Sequence, residues 1–291
     1  MTLIEIAQLE EARQANAARD VADEWRPVGG GVAARADPGS WLNNAVNVGM
    51  SGPVERAELE GLCAWWEERG IEPRVELCPY ADATAVAALA ALGFVPRAFE
   101  GVLFREVGMG DTGGTLVLLG DMGTGDTGGT PVLPGVAGVE VRPVEKADVR
   151  EVRAYVEAVV PPFYPPGQSP SESDFETAAR AVRHPRTVSL AAWAEGRIVG
   201  GGSMEVCGGA AGLFGASVLG GFRRRGVQSL LIAERLRIAR ERGARVATIA
   251  ARLSREPSGT ERNARRAGFQ VGYTKVIVVR PGEGLAGVRG S

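Results

Sequence analysis

Val218-Leu219-Gly220-Gly221-Phe222-Arg223-Arg224-Arg225-Gly226-Val227-Gln228 is the stretch on which the reading of this sequence turns. A strand-like apolar run ends at Val218. Val227 opens an amphipathic pattern that reaches about Arg242, with Leu230, Leu231 and Ile238 on its buried side. A strand running through a tight turn into a helix leaves the first backbone N–H groups of that helix without partners. The helix dipole and the arginine charge add to those donors, and together they make an anion site. Gly226 lets a diphosphate approach the backbone closely, because no side chain stands in the way.

Working outward, the second half reads as a strand at 139–143, a helix at 148–160, a loop and a helix at 171–184. Strands near 187–194, 197–206 and 212–218 follow, joined by Glu-Gly and Gly-Gly turns. Asp148 and Ser171 are helix N-cap residues. Beyond the turn come its helix, a strand at 246–250, a short helix and a strand through Val276–Arg280. The order is that of an α/β (α+β) fold with a mixed sheet. The first half repeats the end of this order. Glu68-Arg69-Gly70 ends a helix carrying Leu59, Leu62, Cys63 and Trp66, a strand follows at 74–78, and a helix runs from about Asp82 to Leu92. Gly93-Phe94 and Gly268-Phe269 close equivalent helices 175 residues apart, and each pair leads into a strand. Shared order and spacing point to a duplication.

Between the halves the composition changes. Gly108–Thr115 recurs as Gly123–Thr130, in a segment of Gly, Thr and Asp that reads as a flexible linker. A phosphate loop would need a Gly-Lys-Ser/Thr ending and a following helix, which neither copy has. The expected organisation is a first domain at 1–107, a linker at 108–138 and a second domain at 139–284.

Of 291 residues, 45% are apolar, enough to bury ordinary cores. No apolar run is long enough to cross a membrane, and the N-terminus lacks a signal pattern, so a soluble, cytoplasmic protein is expected. Cys63, Cys78 and Cys207 are odd in number and lack metal-ligand spacing. They and the lone His184, at a helix end before Pro185, read as structural, with no metal. Charge is unevenly spread: residues 1–107 carry 17 acids against 9 arginines, and residues 222–266 carry 13 arginines against 4 acids. The basic segment suits an anionic cofactor. Its arginines ring the helix with few aromatics among them, so nucleic-acid binding is disfavoured.

The turn resembles the acetyl-CoA signature of the GNAT acetyltransferase superfamily, Arg/Gln-x-x-Gly-x-Gly/Ala, with Arg223, Gly226 and Gln228 at its defined positions. Gly268-Phe269, after a helix containing Asn263, is similar to a second landmark, and the likeness covers about residues 139–281. It implies two GNAT-like domains, each with a mixed, mostly antiparallel sheet flanked by helices. The implied activity is transfer of an acetyl group from acetyl-CoA to a small-molecule amine in the second domain. The resemblance places the cofactor against Val218, Leu219, Arg223, Arg224, Arg225, Gly226, Val227, Gln228, Ser229 and Asn263. Gln228 departs from the small residue usual there, and Gly220 from a frequent proline.

Catalysis needs a proton acceptor for the amine and a polarised carbonyl. Glu205, on the strand before the turn strand, is the candidate base. The tyrosine acid common in the family falls at Ala264 here; Tyr273 is the candidate substitute, with Ser258 or Thr260 as alternatives. Phe163 and Tyr164, in a proline-rich connection, are candidates to line the acceptor pocket. The first half has no arginine turn before its helix and reads as a degenerate copy, with Asn43 and Asn44 available to an acceptor site or a domain interface. A non-catalytic acyl-CoA-binding regulatory or interaction protein is the alternative reading. Acceptor identity and oligomeric state stay open.

Overall fold

The computed structural model of the chain describes residues 1–107, 136–165 and 167–282. The segment expected as a linker, 108–138, lies outside the described residues apart from its last three positions. The first half runs α1 (Leu3–Val21), β1 (Glu24–Val28), β2 (Gly31–Arg35), β3 (Ala45–Val46), α2 (Arg56–Glu67), β4 (Arg74–Leu77), α3 (Ala83–Ala91) and β5 (Val95–Glu106). The second half runs β6 (Glu140–Pro143), α4 (Val149–Val159), α5 (Glu172–Arg183), β7 (Thr187–Ala194), β8 (Arg197–Cys207), β9 (Ala210–Val218), α6 (Val227–Glu241), β10 (Val246–Arg252), α7 (Gly259–Arg266) and β11 (Gln270–Val279). Asp148 and Ser171 cap their helices as expected, accepting backbone N–H groups at the first turn. The unforeseen helix α1 starts with a capping box between Thr2 and Glu5.

The sheet is mixed and mostly antiparallel, as expected, but the halves do not keep separate sheets. Among the described residues one sheet of eleven strands runs β1-β2-β3-β4-β11-β5-β10-β9-β8-β7-β6. The last strand of each half has crossed over: β5 pairs along the whole of β10, and β11 pairs with β4. The two parallel pairings, β3 with β4 and β9 with β10, occupy equivalent places in the two halves.

The 175-residue offset survives in the register. At the centre, Glu100 lies directly opposite Lys275, and these are equivalent residues of the two copies. A pseudo-twofold axis therefore passes between them. The two register shifts of this pair of strands fall at Arg97 and Gly272, which are again equivalent positions. Gly93 and Gly268 both turn at positive φ, 78° and 81°.

Alternation along the strands assigns the helices to faces. Ala33 packs under α2 and α3, whereas its neighbours Val32 and Ala34 pack under α1. In the second half, Ala192 and Val199 meet α6, whereas Ala191 and Ile198 meet α4 and α5. Ile6 of α1 packs on Ala210 and Val246, beside Ala211 and Ala247, which face α6. Helix α1 thus belongs to the first half by sequence but shares the face of α4 and α5, and it crosses onto the sheet of the second half.

Candidate functional site

The turn after β9 is built as an open anion cradle. Leu219 donates its N–H to Val199 O (2.9 Å), and a single 3-10 turn, Gly220–Phe222, follows. Phe222 is buried, and Arg197 and Arg225 lie over its ring. Arg223 folds back, its Nε donating to Val218 O at 2.9 Å, so it braces the turn. Arg224 (φ 62°) and Gly226 (φ 87°) both adopt left-handed conformations, and Gly226 is the N-cap of α6. Glycine holds that conformation without strain, and a larger residue does not. No side chain caps α6, and its first helical bond runs from Leu230 to Gly226 O. Val227 anchors the helix in the core, while Gln228 and Ser229 are half-buried in the first turn.

Beside the cradle the sheet opens. Strand β10 pairs with β9 from Val246–Ile249 to Ala210–Leu213 and no further. From Phe214 to Val218, β9 keeps its partner β8 but has none towards β10. A register shift with β8 falls at this opening, where Gly215 has φ 56°. The free edge of β9 offers backbone donors and acceptors to an extended ligand running down from the cradle. Val218 stands at its upper end. Asn263 is half-buried in α7, the helix after β10, and Ala264 is fully buried.

On the opposite face, against Phe214, lies a cavity of about 320 Å³ between the two halves. Helix α1 forms one wall with Arg13, Gln14 and Asp20; Trp41, Leu42 and Asn44 come from the loop after β2, and His184, Thr187 and Glu205 from the second half. Glu76 and Glu100 close the far end. The helix is fastened over the sheet by buried charges. Arg13 binds Glu10 through two bonds (2.7 and 2.8 Å) and Glu205 Oε2 at 3.0 Å. Glu10 also accepts from Thr248 Oγ1 on β10 at 2.7 Å. Burial works against the charge on Glu10, and Arg13 more than offsets it, holding the carboxyl below its ordinary value. The Arg13 guanidinium lies flat on Gly212, where an added Cβ would stand 2.2 Å from Cζ.

Glu205, the expected base, is buried here with both oxygens engaged, Oε2 by Arg13 and Oε1 by Arg186 Nε at 3.1 Å. Asp20, His184 and Glu205 bring ligand atoms within 4.8 Å of one another. Arg186 bonds Glu205 and forms an ion pair with Asp20, and His184 meets both neighbours, Nδ1 accepting from Arg186 N–H (3.4 Å) and Nε2 lying 3.3 Å from Asp20. The group is an ion-pair knot built on Arg13 and Arg186.

Tyr273, the expected acid, is placed differently. It is buried on β11, with β5 between its strand and β10, and its hydroxyl donates to Glu11 Oε1 at 2.8 Å. Burial and the Glu11 carboxylate both push its proton loss upward, so that proton is committed to α1. Phe163 projects into solvent at 60% exposure. Tyr164 is turned towards Asp174, and burial with that carboxylate pushes its hydroxyl up to about 12. Neither aromatic lines the junction cavity. Asn44 does, donating to Glu76 Oε1 at 2.8 Å, whereas Asn43 caps the backbone of Ala36. Phe214, Arg13 and Arg186 were not singled out from the sequence. Arg13 carries a helix-spaced signal, Glu10-x-x-Arg13, but such a pair ordinarily marks a solvated face.

Residues 152–269 match the acetyltransferase (GNAT) family. No curated protein matches the sequence significantly. Among solved structures, a GCN5-related N-acetyltransferase from Kribbella flavida aligns with TM-score 0.62 at 21% identity, covering 96% of this chain and 98% of that one. A tandem GNAT protein from the clavulanic acid biosynthesis pathway aligns with TM-score 0.58 at 14% identity, covering 95% and 93%. A GCN5-related N-acetyltransferase from Sphaerobacter thermophilus aligns with TM-score 0.50 at 19% identity, covering 82% and 73%. The likeness is one of fold, and with the first two it spans nearly the whole chain.

Proposed function

We propose, for a chain with the tandem GNAT fold and a GNAT-family domain in its second half, that it transfers an acetyl group from acetyl-CoA to an amine held in the junction cavity. The observation that carries this reading is the uncapped start of α6 at Gly226, which opens beside the unpaired edge of β9. The diphosphate lies on the first-turn N–H groups of α6 between Arg224 and Arg225, with Gln228, Ser229 and Asn263 at the margins. The pantetheine arm follows β9 from Val218 and Leu219. At the opening, a backbone N–H of β9 polarises the thioester carbonyl.

The acceptor enters from the α1 face, past Phe214. Its neutral amine attacks the carbonyl carbon, forming the C–N bond; collapse breaks the C–S bond and releases the CoA thiolate, which takes up the proton lost by the amine. Glu205, held by two guanidinium groups, keeps the cavity wall and α1 in place. The tyrosine position of the family is Ala264, and Tyr273 is committed to Glu11. The leaving thiolate is therefore protonated from the amine or from solvent.

Calorimetric titration of acetyl-CoA into the full chain tests the cradle. One site per chain is expected, and Gly226→Glu should weaken it by about 100-fold or more, through strain at φ 87° and like charge at the diphosphate. Undiminished affinity in that variant would place the cofactor elsewhere. Release of free thiol with simple amines tests the transfer. Acetyl-CoA binding without any turnover would favour the alternative reading, a regulatory acyl-CoA-binding protein, for which the absence of tyrosine at Ala264 speaks.

A further inference from the structure

The charged groups of the junction cavity are not evenly paired. Arg13 is committed to Glu10 and Glu205, and Arg186 to Asp20 and Glu205. At the far end, Lys275 is fully buried between Glu11 and Glu76, at 3.3 Å from each, and donates to Gln14 Oε1 at 2.5 Å. Burial opposes the charge on Lys275, and these carboxylates outweigh it, raising its affinity for the proton. Arg74 stands 3.6 Å from Glu76. Glu100, opposite Lys275 across the strand pair, is left over: among the described residues it forms no hydrogen bond or ion pair. Three carboxylates (Glu11, Glu76, Glu100) thus face three cations, Lys275, Arg74 and Arg252, the last directly opposite Glu100 on β10, and Glu100 is the one of the three carboxylates that closes no contact with any of them.

A second observation points the same way. Glu11 is fully buried behind this floor, and its Oε2 has no partner. Burial is the larger reason that both Glu11 and Glu100 hold their protons above the ordinary carboxylate range, and neighbouring carboxylates add to it. Glu100 is therefore the carboxylate of this floor that lines the cavity with its oxygens still open to a ligand cation. Leu42, Val46 and Phe214, with Trp41 beside them, add apolar surface to the side walls that suits a chain of methylene groups. Phe214 marks the end at the opened sheet, and Glu100 the end away from it.

We propose that Glu100 is a specificity-determining residue that binds the distal ammonium of a diamine acceptor, whose other amine is the one acetylated. This rests on the junction cavity being the acceptor site. The diamine fits where a monoamine of equal length leaves Glu100 unpaired. Glu100 sits on the exchanged strand β5, so the first half supplies the selecting carboxylate to the active site of the second.

The test compares 1,4-diaminobutane with 1-aminobutane as acceptors for the full chain with saturating acetyl-CoA. The natural sequence should favour the diamine by about tenfold or more in kcat/KM, carried by KM. Glu100→Gln should lower that ratio by about tenfold, and Glu100→Asp should fall between them. A readout that needs no turnover is the Tm shift on adding 1,4-diaminobutane, expected for the natural sequence and absent in Glu100→Gln. No preference between the two amines, or a preference that survives Glu100→Gln, overturns the proposal. Should acetyl-CoA bind while no amine is turned over, the proposed transfer fails, and the Tm shift alone decides whether Glu100 holds the diamine.

Discussion

Two helices in equivalent places, α6 and α2, begin in opposite ways. Each follows the parallel strand that opens its half of the sheet, and neither has a side-chain N-cap. Before α6 stand three arginines and Gly226, and its first turn contains no acid. The first turn of α2 carries Glu58, whose Oε2 accepts the N–H of Gly29 at 2.7 Å, and the preceding Val54 N–H is taken by Thr84 Oγ1 at 2.8 Å. One helix start is open and positive; the other carries a carboxylate tied to the backbone of Gly29. The two copies thus keep the same strand–turn–helix order while the turn of the first half is tied internally, through Gly29 and Val54, and that of the second is not.

The largest test of the comparison lies on the axis relating the halves, where equivalent residues Glu100 and Lys275 carry opposite charges. Lys275→Met leaves Glu11, Glu76 and Glu100 without their buried cation and should lower stability by about 3–5 kcal/mol, read by urea unfolding at neutral pH. The pH dependence has a definite sign. A carboxyl whose proton affinity is raised on folding binds protons in the folded state where the unfolded chain, near the ordinary glutamate value of about 4.3, does not. Its stabilisation is complete below that value and is lost as pH rises through the raised folded one. Lys275→Met should accordingly recover more stability than the natural sequence when pH falls from 7.5 to 5.5. Equal recovery would mean that these carboxylates are paired by something other than Lys275.

A smaller effect probes how the first half is attached to the second. Gly212→Ala places a methyl group against the Arg13 guanidinium, 2.2 Å from Cζ before relaxation. Overpacking there should cost about 1–3 kcal/mol by urea unfolding, and displacing α1 should raise KM for the acceptor while the affinity for acetyl-CoA holds. If acetyl-CoA affinity falls as far, the two faces of the opened sheet are not separable.

The elements of the second half were largely legible in the sequence because each carries a local signal. Asp148 and Ser171 cap, Gly-Phe pairs close helices, and apolar spacing switches from two to about 3.6 at Val227. The turn before α6 was legible as a strand–turn–helix for the same reason, since it is local. The crossing of β5 and β11 was not: an alternating strand carries the same pattern whichever sheet it joins, and its partner is fixed by contacts more than a hundred residues away. The α1 wall of the junction cavity was equally hidden. Glu10, Glu11 and Arg13 look like a solvated helix face, and they are buried because Glu205, Thr248, Tyr273 and Lys275 supply their partners from the other half. Glu205 was chosen as candidate base by its strand position, but nothing local shows that two arginines would hold it. Tyr273 was chosen by proximity in sequence to Gly268-Phe269, and the intervening strand β5 removes that proximity in space.

The smallest effect breaks the comparison most directly. Glu58→Gln keeps the shape of the side chain tied to Gly29 at the start of α2 and removes its charge. Loss of the charge beside the helix N-terminus and weakening of the bond to Gly29 should cost about 0.5–1 kcal/mol in urea unfolding. Acetyl-CoA should still bind once per chain by calorimetry, because the amide keeps the tie to Gly29 and no arginine precedes α2 in the turn. Two equivalents bound would show that the Glu58 charge alone separates the copies. One equivalent, with the expected loss of stability, would instead place the difference in the whole turn: the arginines and Gly226 of the second half, against the internally bonded turn of the first.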